Sequence, residues 1–347
     1  MRSSDGVASR PTLKQIAARA GVHPSTVSRV LRMDEPPEGW SASARRVREI
    51  AQDLGYRPNL VAAGLRTNRS YAIGVVIPRL TDGVIAAMCQ AIDVAASEAG
   101  YQILLATPPD EVEAQLRSVS LLASRQIDGL IVSSLHRETP VMVESIKAHG
   151  VPAIAVNRSA EGGLPSVTAA DRQGGTLATE HLISLGHRRI GLIAGPPHAS
   201  TAWERMQGYV AALRRHGVEV DDSLIVHTDF EVQGGVHGAH RLLNLADPPT
   251  AIFSINDTAA IGVMGAARDR GLRIPEDLSL VGYNDIPLVS QLPVPFTTIS
   301  SPAAPMGAVA LQQLLRGLSG GEMASMTLPV SLVTRGSTAP PRGPGRE

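Results

Sequence analysis

Apolar residues near the start of the chain repeat with the period of an α-helix. The spacing i, i+3, i+4 and i+7 is filled by Leu13, Ile16, Ala17 and Ala20, which predicts a short amphipathic helix. Thr12 and Gln15 fit a capping box at its start, where hydroxyl and amide satisfy free N–H groups. Gly21 follows the last apolar position and ends the helix.

Two further helices are predicted in the same region. Pro24 suits the first turn of a second helix, because its missing N–H would be unpaired there. Its inward positions are Val27, Val30 and Leu31, and its outward positions are Ser25, Thr26, Ser28 and Arg29. A third helix is predicted over 43–54, with Gly55 as its stop. Three short helices around a small core predict a compact head.

From Tyr71 onward the pattern changes to short, continuous apolar runs separated by helical stretches. The runs are 72–78, 101–107, 128–134, 151–157, 188–195, 250–256 and 278–284. Continuous runs, unlike alternating ones, are typical of strands covered on both faces, which predicts an α/β body with parallel sheets. Ligands bind beyond the carboxyl ends of such strands, where Asn157, Asn256-Asp257 and Asn284-Asp285 stand.

Composition and charge narrow the class of protein. A length of 347 residues with 43% hydrophobic and 18% charged residues predicts a globular chain of two or three domains. Neither a membrane-spanning run nor a secretion signal is present, and the only cysteine, Cys89, is expected to be a buried small hydrophobe. We therefore expect a cytoplasmic protein.

The net charge of zero hides an asymmetry. Residues 1–70 contain 12 Lys/Arg and 6 Asp/Glu, whereas the remainder contains 20 and 26. A basic head on an acidic body indicates that the head meets a polyanion. The helical pair is compatible with a helix-turn-helix, in which Arg29 can contact guanine and Thr26 or Ser28 can reach phosphates or bases. The alternative is a surface hairpin that binds nothing.

Several motifs resemble the lactose/galactose-repressor (LacI/GalR) family of bacterial transcription regulators. They include "TLKQIAARAGVHPSTVSRVL", "LGYRPN", "LRTNRSYAIGVVIP", "LGHRRIGLIAGP", "SINDTAAIG", "IPEDLSLVGYND" and "TTISSP", in the family's order from Thr12 to Pro341. The resemblance implies an all-α helix-turn-helix head and an α/β body like periplasmic binding proteins, with two lobes and parallel sheets. The expected boundaries are 11–57 for the head, 58–70 for a hinge helix and linker, and 71–338 for the effector-binding and dimerisation domain.

The same resemblance assigns DNA contacts. It places Pro24, Ser25 and Arg29 at base edges and Thr26 and Ser28 near the backbone, and the expected set also holds Thr12, Asn59, Leu65 and Arg66. Leu65 matches a leucine that wedges into the minor groove, at a cost of a few kcal/mol of base unstacking. Its alternative is a linker leucine packed on the body. His23 replaces the usual serine, and the loop before the third helix is about two residues longer than usual.

For the effector the resemblance implies Asn157, Thr201, Arg205, Phe230, Asn256, Asp257 and Asn284, and Asp82 and Trp203 are added as neighbours. These groups suit a polyol, with Arg205 gripping hydroxyls and Phe230 stacking on a sugar ring. Asn256-Asp257 and Asn284-Asp285 could instead cap local structure, and Phe230 could be core. "TDGVI" (81–85) replaces an aromatic family motif and Asn284 replaces an aspartate, so a smaller, more polar or different sugar is expected.

The predicted function is a repressor of carbohydrate-utilisation genes whose affinity for a pseudo-palindromic double-stranded operator is switched by a sugar-like effector. A palindromic site requires a homodimer. The C-terminal residues contain no leucine heptad, so a tetramer held by a C-terminal coiled coil is not expected. Two alternatives remain open at this point: a transport-type solute-binding module, and an α/β enzyme using Asp257 or Asp285. "GLSGG" (317–321) follows a helix and "HGAH" (237–240) lacks further ligands, so catalytic, metal and cofactor sites are not predicted.

Overall fold

The computed structural model describes residues 11–31, 39–56 and 69–342. They belong to two compact units, and the boundary between the units falls between Ser70 and Tyr71. The predicted hinge, with Asn59, Leu65 and Arg66, and the long loop before the third helix lie outside the described residues.

The described residues of the head unit form three short helices: α1 (Leu13–Ala20), α2 (Pro24–Val30) and α3 (Ala42–Asp53). The capping box at α1 is confirmed, since the Thr12 N–H donates to Gln15 Oε1 at 2.8 Å and the Gln15 N–H donates to Thr12 Oγ1 at 3.3 Å. Gly21 ends α1 at a φ of +69°, a left-handed conformation that favours glycine.

The core of the head joins all three helices. Ile16, Val27 and Val47 have no exposed surface, so each helix contributes a fully buried side chain. Arg48 lies over the Trp40 ring at 4.0 Å, which covers the edge of this core with a cation–π contact. The small core fixes α2 against α1 and α3.

The body unit is built on two six-stranded sheets. The first has the order β11-β5-β4-β3-β1-β2 and the second β12-β10-β9-β8-β6-β7. Every pairing is parallel except β10 with β12. The strands are β1 (Ala72–Val76), β2 (Gln102–Ala106), β3 (Gly129–Val132), β4 (Ala153–Val156), β5 (Ser166–Ala169), β6 (Ile190–Ala194), β7 (Ile225–His227), β8 (Ala251–Ser254), β9 (Ser279–Asn284), β10 (Thr297–Ser300), β11 (Met326–Leu328) and β12 (Ser331–Val333).

Helices alternate with these strands. They are α4 (Gly83–Glu98), α5 (Val112–Ser124), α6 (Pro140–Ala148), α7 (Asp171–Ser184), α8 (Ser200–Arg215), α9 (Val232–Leu243), α10 (Asp257–Asp269) and α11 (Ala303–Leu318). Two short 3-10 turns cover Asp222–Leu224 and Pro287–Ser290. The predicted α/β body with parallel sheets is confirmed.

Each sheet with its helices forms one lobe of the body, called the first lobe (the sheet of β1–β5 and β11) and the second lobe (the sheet of β6–β10 and β12). The chain passes between the lobes after β5, after β10 and between β11 and β12. Three crossings leave the carboxyl ends of both sets of parallel strands free to line a shared cleft.

Each of the seven predicted apolar runs contains a strand. Five further strands were not predicted: β5, β7, β10, β11 and β12. These are three or four residues long, and β11 and β12 lie at the sheet edges, where one side stays in contact with solvent. Cys89 is buried in α4, and burial raises the pKa of its thiol to about 11, as expected for a small hydrophobe. Among the helices of the described residues, none has the length and apolar character needed to span a membrane.

Candidate functional site

The second helix of the head presents polar side chains to solvent. Ser25 and Arg29 are exposed, Thr26 and Ser28 are half-buried, and Val27 and Val30 face the core. His23 takes over the capping position, because its Nδ1 accepts from the Ser25 N–H at 3.3 Å and lies 2.7 Å from Ser25 Oγ. Arg29 forms no salt bridge with any described residue.

A polar pocket lies between the two lobes of the body. The first lobe contributes Pro78, Arg79, Asp82, Val84, Ile85, Asn157 and Arg158, and the second contributes Thr201, Arg205, Phe230, Asn256 and Asn284. Most of these residues directly follow a parallel strand or begin the next helix, which is why the topology brings them together. Seven of the nine residues expected to bind an effector line this pocket.

Two asparagines of the pocket have unusual backbone conformations. Asn157 directly follows β4 with a φ of +66° and Asn284 ends β9 with a φ of +109°, both in the region that favours glycine. Such conformations cost of order 1–3 kcal/mol each and cluster at binding sites. The buried Oδ1 of Asn284 has no hydrogen-bond partner among the described residues, so the pocket offers an unused acceptor.

Arg205 is held by a buried network of the second lobe. Its Nε donates to Asp171 Oδ1 at 2.7 Å, its Nη1 donates to the Ile255 carbonyl at 2.8 Å, and its guanidinium lies 3.6 Å from the Tyr283 ring centre. Burial opposes the charge, but the Asp171 carboxylate outweighs burial and raises the pKa of Arg205. The arginine is charged and already partnered.

Asp82 and Asn256 combine a capping contact with a place in the pocket. Asp82 Oδ1 accepts from the Val84 N–H at 2.9 Å at the start of α4. Asn256 Oδ1 accepts from the Ala259 N–H at 2.8 Å, and its Nδ2 donates to the Phe230 carbonyl at 2.9 Å. The capping alternative is therefore confirmed for Asn256, and the same side chain fixes the segment that carries Phe230.

Two arginines surround Phe230. The guanidinium carbons of Arg79 and Arg158 lie 5.9 and 5.6 Å from its ring centre, within cation–π range. Arg79 also pairs across the lobes with Glu231 at 2.8 Å. Neither arginine was predicted from the sequence, although each stands directly after a strand-end residue, Pro78 or Asn157, and that position was a usable signal.

The buried Arg158 extends the pocket towards Asp110. Its Nη1 donates to both carboxylate oxygens of Asp110, at 3.1 and 3.3 Å. Burial works against ionisation of Asp110, but hydrogen bonds from His136 and His198 together with the Arg158 charge hold its pKa well below the usual range. The carboxylate is therefore ionised throughout the neutral range.

The pocket is narrow. Its cavity volume is about 30 Å³, which holds one or two waters and is far below the volumes of about 300–1,000 Å³ that are typical of ligand sites. A sugar-sized ligand therefore requires the side chains or the lobes to move.

Trp203 and Asp257 do not line the pocket. The Trp203 ring packs under Arg137, whose guanidinium lies 4.1 Å from the ring centre. Asp257 is fully buried, and its oxygens accept from Thr298 Oγ1 at 2.7 Å and from the Ile286 N–H at 2.9 Å. Burial raises the pKa of Asp257 to about 7. Trp203 therefore packs against Arg137, and Asp257 anchors the segments that carry Ile286 and Thr298.

A helix-turn-helix head joined to a two-lobed body with a polar interlobe pocket defines a ligand-responsive DNA-binding regulator. A model of "Bacterial regulatory proteins, lacI family" matches residues 12–59, and one of "Periplasmic binding proteins and sugar binding domain of LacI family" matches 70–336. The chain belongs to the LacI family. It is a DNA-binding transcriptional regulator, which excludes both the enzyme and the transport-type alternatives.

Individual relatives are similar to this protein over nearly the whole length of the chain. The HTH-type transcriptional repressor CytR of Escherichia coli (strain K12) is 33% identical over 330 residues, covering 94% of this chain and 96% of the relative. A "transcriptional regulator CelR-cellobiose complex" is 32% identical with a TM-score of 0.72, covering 94% and 100%. The Lac repressor dimer bound to operator and the anti-inducer ONPF is 29% identical with a TM-score of 0.86, covering 95% and 100%.

Proposed function

We propose that this regulator is a cytoplasmic repressor of carbohydrate-utilisation genes, and that a small sugar-like effector in the interlobe pocket switches its affinity for an operator. One observation carries the proposal: the lobes converge on a pocket of amide, hydroxyl and paired charged groups in a chain that also carries a DNA-binding head. Binding in that pocket acts on both lobes at once.

On the DNA side, we propose that α2 enters the major groove. Pro24, Ser25 and Arg29 face base edges, and Thr26 and Ser28 lie nearer the backbone. The exposure of Ser25 and Arg29 supports this assignment, because side chains that read bases must reach out of the helix, and Ser25 is in the N-terminal turn that enters the groove. Thr12, Asn59, Leu65 and Arg66 complete the proposed contact set on the strength of the family resemblance.

On the effector side, the charges of the pocket favour a neutral polyol. Arg79, Arg158 and Arg205 are paired with Glu231, Asp110 and Asp171, respectively. The groups left for a ligand include the side-chain Oδ1 of Asn284 and the Oδ2 of Asp82, both of which accept hydrogen bonds from hydroxyls. The cellobiose complex of CelR supports a sugar or a sugar derivative.

We propose that two copies bind a pseudo-palindromic operator, as in the Lac repressor dimer bound to operator. Two heads related by a two-fold axis match two half-sites. An effector that prefers one lobe arrangement then changes operator affinity, and the operator must change effector affinity by the same factor.

Selection of bound DNA from a random pool tests the DNA side. We expect an enriched palindrome and a steep loss of affinity with rising salt. Arg29→Ala should cost about 1–3 kcal/mol and relax one base position. Arg46→Ala removes an equally exposed arginine from α3 and should leave base preference unchanged. A pool without an enriched palindrome would refute the operator proposal.

A screen of sugars against the selected operator tests the effector side. Asn284→Gly removes the amide and suits the φ of +109°, so the fold is preserved. We expect the response to the active sugar to disappear while operator affinity is retained. Gln126→Gly is the matched control, because Gln126 also has a positive φ (+57°) and does not line the pocket. A full response to the sugar in Asn284→Gly would show that the effector does not bind at Asn284 and would refute the proposed site.

A further inference from the structure

Three potential metal ligands meet beside the pocket, and they come from both lobes. Asp110 follows β2 and His136 follows β3 in the first lobe, whereas His198 lies between β6 and α8 in the second lobe. Their ligand atoms all lie within 4.8 Å of one another. The sequence contained no sign of this cluster, because its members are separated by 26 and 62 positions.

The geometry of the cluster is close to that of a metal site. His136 Nε2 lies 3.0 Å from Asp110 Oδ1, and His198 Nε2 lies 3.2 Å from Asp110 Oδ2. The imidazole rings are stacked with centres 4.0 Å apart. With metal–nitrogen bonds of 2.0–2.1 Å, neighbouring ligands of a tetrahedral ion are about 3.3 Å apart. An ion therefore fits after small side-chain shifts.

The surroundings of the carboxylate fix its position. Gln115 Nε2 donates to Asp110 Oδ1 at 2.9 Å and Arg158 Nη1 lies closest to Oδ2 at 3.1 Å. Such outer hydrogen bonds orient carboxylate ligands in metal sites. The Arg158 charge weakens attraction for hard cations, so the two imidazole nitrogens must supply most of the affinity. That donor set favours zinc and its first-row neighbours over magnesium or calcium.

We propose that Asp110, His136 and His198 bind one divalent transition-metal ion that joins the two lobes. The ion replaces the two imidazole–carboxylate hydrogen bonds, while Arg158 stays on the same carboxylate. It holds His198 of the second lobe to the first lobe beside the 2.8 Å hydrogen bond from the Arg137 N–H to the His198 carbonyl. The proposal is independent of the proposed effector.

Titration of the metal-stripped, full-length protein with Co²⁺ tests this site directly. We expect one ion per chain and the visible absorption of four- or five-coordinate cobalt, which is much stronger than that of the hydrated, six-coordinate ion. His198→Asn should weaken Co²⁺ binding at least tenfold. Because His198 is in a loop and its side chain is 36% exposed, its replacement leaves the core intact.

A surface histidine supplies the matched control. His237 is exposed in α9, so His237→Ala should bind Co²⁺ like the unaltered protein. Zinc should raise the urea midpoint of the unaltered protein and of His237→Ala, but not that of His198→Asn, because an ion bound only by the folded state stabilises it. Cobalt that keeps the spectrum of the hydrated ion, or binding equal in His198→Asn and the unaltered protein, would overturn the proposal.

Discussion

Arg205 was expected to grip the effector, and its surroundings give it a structural task as well. Arg205 and Asp171 are both buried and joined at 2.7 Å. Breaking such a pair by removing one partner leaves an uncompensated buried charge, which costs about 3–5 kcal/mol. Replacement of Arg205 would therefore confuse loss of binding with loss of stability, which is why Asn284 is the better test of the pocket.

We predict that Arg205→Met lowers the free energy of unfolding by about 3–5 kcal/mol, because Asp171 loses its counter-charge. Adding Asp171→Asn should recover part of that loss, with an interaction energy of about 1–3 kcal/mol between the sites. Urea unfolding of the four members of the cycle measures this. If the losses of unfolding free energy were strictly additive, the interaction between Arg205 and Asp171 would contribute nothing to stability.

A second prediction at the residue scale concerns the pH dependence of stability that arises from Asp257. Its pKa is about 7 in the folded state and near 3.9 in an unfolded chain. Between these values the folded state keeps a proton that the unfolded state has lost, so stability falls as pH rises and levels off above about 7. The expected loss from this group between pH 5 and pH 8 is about 2–3 kcal/mol.

Asp257→Asn should remove this pH dependence. The amide can accept from the Ile286 N–H and donate to Thr298 Oγ1, so the two contacts survive without a titrating proton. Urea unfolding at pH 5 and pH 8 should show the unaltered protein losing more stability than the variant. Parallel profiles would mean that Asp257 stays ionised.

At the residue scale, the sequence was informative where a side chain directly follows a strand. Asn157 and Asn284 reach the pocket for that reason. Trp203 does not, because residues two apart on a helix face different directions, and Arg205 takes the pocket side. Asp257 begins α10 and turns back to Ile286 and Thr298. Such long-range contacts leave no local pattern in the sequence.

At the scale of elements, helix pairs of the second lobe pack through glycines. A Cβ on Gly262 of α10 would lie 2.0 Å from the Val232 carbonyl oxygen, and one on Gly235 of α9 would lie 1.9 Å from that of Ala259. Each glycine therefore lets the other helix approach its backbone. The apolar runs predicted the strands, whereas these crossings depend on residues that a helical pattern would disfavour.

We predict opposite effects for two glycines of α10. Gly262→Ala should lower the free energy of unfolding by about 1–3 kcal/mol or more, since backbone must shift. Gly265 has nothing within 4 Å of its Cβ position, so Gly265→Ala should raise it by up to about 1 kcal/mol. Thermal or urea unfolding compares the variants. Equal effects of the two substitutions would contradict the close helix crossing.

At the scale of the whole molecule, the two lobes of the body share a buried apolar cluster that includes Val75 of the first lobe and Phe253 of the second. Polar contacts also join the lobes, among them Arg79 with Glu231, His198 with Asp110, and the Ser159 N–H with Ser200 Oγ at 2.9 Å. A ligand in the pocket lies beside these polar contacts, which are the ones that a change in lobe arrangement would alter first. The family motifs predicted two lobes, but the polar contacts between them involve residues outside those motifs.

The first lobe also offers a surface that fits the proposed homodimer. β2 lies at the edge of its sheet, and Leu104 and Leu105 are 37% and 39% exposed on it. Val94 of the neighbouring α4 is 53% exposed. An edge strand with exposed leucines is an unfavourable surface for a monomer, so we place part of the interface between subunits here.

We predict that Leu105→Asp shifts the protein from dimer to monomer, because an ionised carboxylate would have to be buried in an apolar interface. Sedimentation velocity measures the shift, and operator affinity should fall at least tenfold with it, since a single head contacts only a half-site. Leu121→Asp places the same charge on α5, where Leu121 is 60% exposed, and should leave the dimer intact. Dissociation by Leu121→Asp with an unchanged Leu105→Asp dimer would move the interface from β2 to α5.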